Sequence, residues 1–243
     1  MRSILVSVDY ADILAVTLAY NRHHFNDVMV VTSPEDHQTI SVARHHECQI
    51  FCTDLFYSRG ASFNKWLALE TALDAYGREG WICIMDADVL WPKDLPPGFY
   101  ESLVAGNLYT PFRRMWADPT VDVPPESEWC GFHRHRQEVE FAGYSQMFHC
   151  SDPVLGDPPW HQTDWIHAGG ADSWFQAKWK NTNKIRPSWD VLHLGPAGTN
   201  WCGRSTPYLD GSVHPQADER LHQLTGFLRT RRRLRSYDHE RSK

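Results

Sequence analysis

Asp86 and Asp88, two residues apart, stand at the end of the apolar run Ile82-Cys83-Ile84-Met85. Gly80 and Pro92 flank this stretch, so it reads as a buried central strand with its acids at the carboxyl end. Two carboxylates at the edge of a core repel each other and lose hydration, which is unfavourable unless something compensates. A divalent cation does so, since Mg²⁺ and Mn²⁺ prefer carboxylate oxygens. A metal beside phosphate is the chemistry this pair points to.

The elements that must hold the pair read as alternating strands and helices. Ser3–Val8, Asp27–Thr32 and Cys48–Cys52 are strand-like, and His37–His46 is helical. Ser62 caps a predicted helix over Phe63–Tyr76, whose Trp66, Leu69, Leu73 and Tyr76 form one apolar stripe. Such alternation implies an α/β fold, a mainly parallel sheet with helices on both faces. Sheets of this kind bind nucleotides outside the carboxyl ends of their strands. Those ends carry Asp9, then Glu35-Asp36, then Asp86 and Asp88. No GxGxxG follows the first strand and no GxxxxGK[ST] occurs, which argues against dinucleotide and P-loop folds.

Further on, 106–111, Phe141–Phe148 and Val191–Gly195 read as short strands. Trp165–Phe175 is a turn opening into a helix through Trp179, and Ala217–Arg235 is a terminal helix. The chain has 243 residues, 42% of them hydrophobic, and so is long enough for a large core. Its formal net charge of −6 argues against a protein that coats nucleic acid. No signal peptide or transmembrane segment is evident, and six scattered cysteines without a C-x-x-C pair suit reduced thiols in the cytoplasm.

Taken in order, the α/β half, D-x-D after a buried strand, Gly169-Gly170-Ala171-Asp172 and Val191-Leu192-His193-Leu194-Gly195 resemble the glycosyltransferase-A fold over roughly residues 3–204. The resemblance implies a Rossmann-like catalytic domain over 1–215, with a nucleotide-binding half to about residue 92 and an acceptor half beyond it. Residues 216–243 are then a C-terminal helix and basic tail. It also implies a metal site of Asp86, Asp88 and His193, with Asp88 the direct ligand and Asp86 reaching the ribose or a metal-bound water. Mn²⁺ fits such a site better than Mg²⁺, because an imidazole joins the carboxylates.

Asp172 matches the position of the general base in inverting members, against the competing role of a helix cap. Adjacent acidic pairs are common there, whereas this chain has Asp172-Ser173, so inverting and retaining stereochemistry both stay open. Nucleoside contacts are implied for Asp9, Tyr10, Glu35-Asp36, Asn64 and Lys65, with Lys65 either against a phosphate or on the helix face. Trp201 and Arg204 are implied as a lid over the diphosphate, since an arginine grips phosphate bidentately. Trp160, Trp165 and Trp174 are candidate stacking surfaces, with core packing the competing role.

The activity so implied is sugar transfer from a nucleotide-sugar, with a UDP-sugar the expected donor, to a hydroxyl. The leading single acceptor is a hydroxymethylated pyrimidine in DNA, tracked through Arg113, Arg114, Arg134, Arg136 and the five arginines of 229–235. Glycan, lipid or protein acceptors are the alternative. A metal-dependent nucleotidyltransferase or hydrolase is a further one, although it is expected to carry a Gly-rich loop after the first strand.

Overall fold

The computed structural model describes residues 1–117, 122–134, 141–196 and 198–228. The first half runs β1 (Arg2–Val6), α1 (Ala11–Asn21), β2 (Asp27–Thr32), α2 (His37–His45), β3 (Gln49–Cys52), α3 (Lys65–Tyr76) and β4 (Trp81–Asp86). Short strands follow, β5 (Val89–Leu90), β6 (Leu108–Tyr109) and β7 (Phe112–Trp116), then the single turn α4 (Glu126–Trp129). The rest comprises β8 (Ser145–His149), α5 (Ala171–Gln176), β9 (Lys184–Ile185) and β10 (Asp190–Leu194). Helix α6 covers 217–228.

A seven-stranded sheet has the order β3-β2-β1-β4-β8-β6-β9. Its first four strands are parallel, and β8 alone runs against its neighbours. A second sheet, β5-β10-β7, stands beside the end of β4. The mainly parallel α/β architecture expected from the alternation is the one found.

Period-2 alternation in the central strands feeds two cores. Ile4, Met29, Val31, Ile82 and Ile84 pack with α3 and α5 on one face. Leu5, Val28, Val30, Cys83 and Met85 pack with α1 and α2 on the other. That double burial is why these strands read as continuous apolar runs.

Helix α3 starts two residues later than the sequence suggests. Its cap is Asn64, not Ser62: Asn64 Oδ1 accepts from Leu67 N at 3.0 Å. Ser62 N and Phe63 N instead donate to Ile166 O, tying this corner to the second half. Glu70 of α3 is 3% exposed and accepts from Trp160 N, His161 N, His161 Nδ1 and Arg78 Nη2. His161 lies between the rings of Trp66 and Phe175, at centroid distances of 4.8 and 4.0 Å. Trp160 is core, 3% exposed, rather than a stacking surface.

Burial pushes His161 below its ordinary range, with Glu70 opposing, and pushes His24 down to about 4, with His23 adding to the effect. Unfolded histidine titrates near 6.5, so between that value and the lowered ones the unfolded chain binds more protons. Stability is therefore expected to fall as pH drops below about 6.5. Urea midpoints at pH 7.5, 6 and 5 measure this, and a flat profile would contradict it.

Candidate active site

Strand β4 ends at Asp86, and Ala87-Asp88 is a turn into β5. The two acids therefore leave the sheet in different ways. Asp86 meets Lys65 Nζ in an ion pair. Lys65 is 8% exposed and opens α3, where a cation opposes the helix dipole, so the pairing with Asp86 is what favours it there. Asp88 turns instead towards His193 of β10, with Oδ1 3.6 Å from Nε2. His193 Nδ1 lies 3.1 Å from Gly195 O, so Nδ1 carries a proton and donates. Asp88 Oδ1 is covered and has no hydrogen-bond partner. Burial raises the Asp88 carboxyl above the usual range, His193 and Lys65 oppose this, and Asp86 adds to it.

Two buried polar side chains of α1, one turn apart, clamp this corner. Thr17 Oγ1 donates to Ala87 O at 2.8 Å. Asn21 donates to Val89 O at 2.6 Å and accepts from Trp91 N at 2.8 Å. Their spacing, i and i+4 on an otherwise apolar face, was the available sequence signal.

The acids border a cleft of about 500 Å³. Asp172 also lines it, and there Oδ2 accepts from Gly143 N and Oδ1 from Ser173 N, both at 2.9 Å. Asp172 is not a cap: α5 begins at Ala171 after Gly170, which places Asp172 inside the first turn. Gly143 has no room for a side chain, since a Cβ there would stand 2.9 Å from that of Asp172 and 3.1 Å from the Trp66 ring. The paired glycines also have steric work. A Cβ on Gly169 would enter the Trp201 ring at 2.3 Å, and Gly170, at φ +111°, abuts Trp165. Trp201 lines the cleft and stacks near-parallel with His167 at 5.9 Å. Trp165 gives its indole N–H to Gln162 Oε1, while Trp174 is 42% exposed with Lys178 over its ring.

Several residues expected at the donor are engaged elsewhere. All five N–H groups of Arg204 are used: towards Asp12 in a bidentate pair, Asp9 O, Thr206 O and Pro207 O. Its guanidinium, 1% exposed, is wedged between the rings of Tyr10 and Tyr208. Arg204 thus anchors the loop bearing Trp201 and has no donor left for a phosphate. Asp9 holds Arg220 and His214 at 3.1 and 3.2 Å, docking α6, and Leu228 of that helix reaches the cleft. Asp36 caps α2 and accepts from Asp9 N at 2.7 Å, fixing Asp9 at φ 63°. Asn64 uses its amide on the cap and on Thr163 O. Tyr10 and Lys65 do line the cleft.

The expected basic track is also redistributed. Arg114 and Arg134 converge on Asp190, while Arg113 lines the cleft and stacks on Tyr144 at 4.5 Å. Arg136 and 229–235 lie outside the described residues. Among those described, no group of three or more His, Cys, Asp or Glu is arranged to hold a metal. The set expected, Asp86 with Asp88 and His193, is thus reduced to the Asp88–His193 pair, because Lys65 engages Asp86. Among the described residues, no helix is long and apolar enough to cross a membrane.

No family model and no curated protein matches the sequence. Solved structures resemble it at low identity. Mannosyl-3-phosphoglycerate synthase from Rubrobacter xylanophilus is 14% identical, with a TM-score of 0.41 over 63% of this chain. This chain spans 54% of that protein's length. Glucosyl-3-phosphoglycerate synthase from Mycobacterium tuberculosis with phosphoglyceric acid is 15% identical, with a TM-score of 0.48 over 93% of this chain and 79% of that one. The same enzyme with Mn²⁺ and UDP-glucose gives 12%, 0.48, 85% and 71% on the same measures.

If Arg204 is an anchor, Asp12→Ala is expected to lower unfolding free energy by about 3 kcal/mol, the usual cost of stranding a buried cation. Denaturant melts measure it. Unchanged stability would return Arg204 to a ligand-binding role.

Proposed function

We propose that this protein is a glycosyltransferase of the glycosyltransferase-A type, moving a sugar from a nucleotide-sugar, with UDP-sugars the first candidates, to a hydroxyl acceptor. One observation carries the reading. Asp88 Oδ1 is covered, unpartnered and 3.6 Å from His193 Nε2, at the carboxyl end of the central strand and on the wall of a cleft. With Nδ1 donating to Gly195 O, His193 turns its other ring nitrogen, Nε2, towards a carboxylate oxygen, and in the neutral ring that nitrogen is a lone-pair donor to a cation. Two acceptors so placed call for a cation.

Asp88 and His193 are the residues to hold it, and a carboxylate–imidazole donor pair suits Mn²⁺ over Mg²⁺. Such a metal, when bound, neutralises the charge that a leaving diphosphate develops. Asp86 stays oriented by Lys65 and is available to a ribose hydroxyl or metal-bound water. Asp172 accepts one backbone N–H at each oxygen, from Gly143 and Ser173, and keeps a further lone pair on each for an acceptor proton. It is the proposed general base, in an inverting transfer. Trp201, keyed against Gly169, closes one side of the cleft without Arg204's help.

The acceptor bound here is better matched to a small molecule than to DNA. Of the arginines expected to track a duplex, Arg114 and Arg134 are paired with Asp190 and Arg113 lines the cleft. Hydroxymethylated DNA remains the competing acceptor, and binding that weakens steeply with salt is its signature. A nucleotidyltransferase or hydrolase at the same site would release a different product from a UDP-sugar. Six free cysteines suit action in a reducing compartment such as the cytoplasm.

With Mn²⁺, the purified protein is expected to hydrolyse a UDP-sugar slowly, releasing free sugar and UDP. Asp88→Ala or EDTA should reduce this by about a hundredfold or more. Undiminished turnover in EDTA sinks the metal reading, and release of UMP redirects it to a nucleotidyltransferase or hydrolase. Asp172→Asn should retain UDP binding while transfer falls about 10²-fold or more. Transfer within twofold of wild type would reduce Asp172 to a helix-start residue.

A further inference from the structure

The charged groups of the cleft are almost all matched in pairs. Lys65 is committed to Asp86, Arg204 to Asp12, and Asp172 to two backbone N–H groups. Apart from Asp88, which faces His193, Arg113 is the exception. It has no hydrogen bond or ion pair among the described residues, and its Nε is covered and unpartnered. A guanidinium is rarely left so, because its planar fork matches the two oxygens of a carboxylate or phosphate.

Its neighbours indicate which part of the cleft it serves. Arg113 rests on the ring of Tyr144 at 4.5 Å. Tyr144 is held by two hydrogen bonds of its hydroxyl, to Pro111 O at 2.6 Å and from Arg186 Nη1 at 3.0 Å, so the platform is rigid. The preceding residue, Gly143, donates to Asp172. The unmatched cation and the proposed base are therefore carried by consecutive residues of one segment. Arg113 also pairs with Val191 in the β7–β10 register, two residues from the His193 position.

We infer that Arg113 is an anion-recognition residue of this cleft, selecting an acceptor that carries a carboxylate or phosphate group near the hydroxyl that receives the sugar. Assigning the anion to the acceptor rests on the glycosyl-transfer reading. Binding of an anion by Arg113 does not.

Calorimetric titration separates the two. Glycerol 3-phosphate is the probe and glycerol its neutral control, each titrated with and without saturating UDP. Saturable binding of glycerol 3-phosphate but not glycerol is expected, weakened about tenfold or more in Arg113→Gln. Arg113→Lys, which keeps the charge but loses the fork, should fall between them and guards against a packing defect in the glutamine variant. Absence of binding, or equal affinity in all three proteins, overturns the inference. Loss of the binding once UDP is present also overturns it, and assigns Arg113 to the donor diphosphate. Displacement of the probe by hydroxymethylated duplex DNA overturns the small-acceptor assignment. In the transfer assay with a UDP-sugar and Mn²⁺, the phosphorylated acceptor should exceed glycerol in kcat/KM by about tenfold or more, with Arg113→Gln erasing that ratio. Arg113-dependent binding without any sugar transfer would leave the anion site standing and remove the glycosyl-transfer reading.

Discussion

The cleft depends on one strand running the wrong way. By entering the sheet antiparallel to β4, β8 brings the segment before it, Gly143-Tyr144, against the end of the central strand, where Asp86 N donates to Tyr144 O at 3.1 Å. From that contact three consequences spread. Gly143 offers its N–H to Asp172, Tyr144 offers its ring to Arg113, and the absent side chain of Gly143 admits Trp66. A parallel strand in the same slot would need a crossover connection and would present a different end of the segment to the cleft. The first join between the two halves of the site is thus one of backbone geometry.

Helix α3 supplies the second join. Lys65 reaches Asp86, Trp66 donates to Ala168 O at 2.7 Å, and Glu70 gathers the backbone at 160–161. The first turn of one helix therefore addresses both Asp86 and the glycine-pair loop, and the next turn the core behind α5. Its stripe read from sequence was correct in period, but the polar residues between the apolar ones do most of the positioning.

What the sequence disclosed follows from range. Strands β1 to β4 and helices α2 and α3 are local patterns, and their periodicity or apolar runs were readable to within a residue or two. The end of β4 placed Asp86 and Asp88 where the cleft is, while Asp9 and Asp36 do not line it. The two-residue strands β5 and β9 carry too few residues for a pattern and exist because of partners far along the chain. The same limit governed side chains. Arg204 was expected at the diphosphate from the resemblance and from the bidentate fit of an arginine to phosphate, and the partner it has, Asp12, is 192 residues away. Gly169 and Gly170 showed in the sequence only as part of a motif, whereas the rings of Trp201 and Trp165 occupy the space beside them. The arginines of β7 looked like one patch, but alternation along a strand sends Arg113 and Arg114 to opposite faces.

The anchoring of Arg204 bears on how the Trp201 loop can respond to a ligand. At one end of this loop His193 and Leu194 are fixed in β10, and at the other Arg204 is riveted to Asp12 and α1. A segment tethered at both ends to the same rigid body samples fewer arrangements than a free arm of equal length. Ordering it around a substrate then costs less conformational entropy, and more of the contact energy remains as affinity. The same tethering lets residues inside the loop vary in size and polarity without displacing Asp88 or His193, which makes it the natural place for one wall of the cleft to change while the other stays fixed.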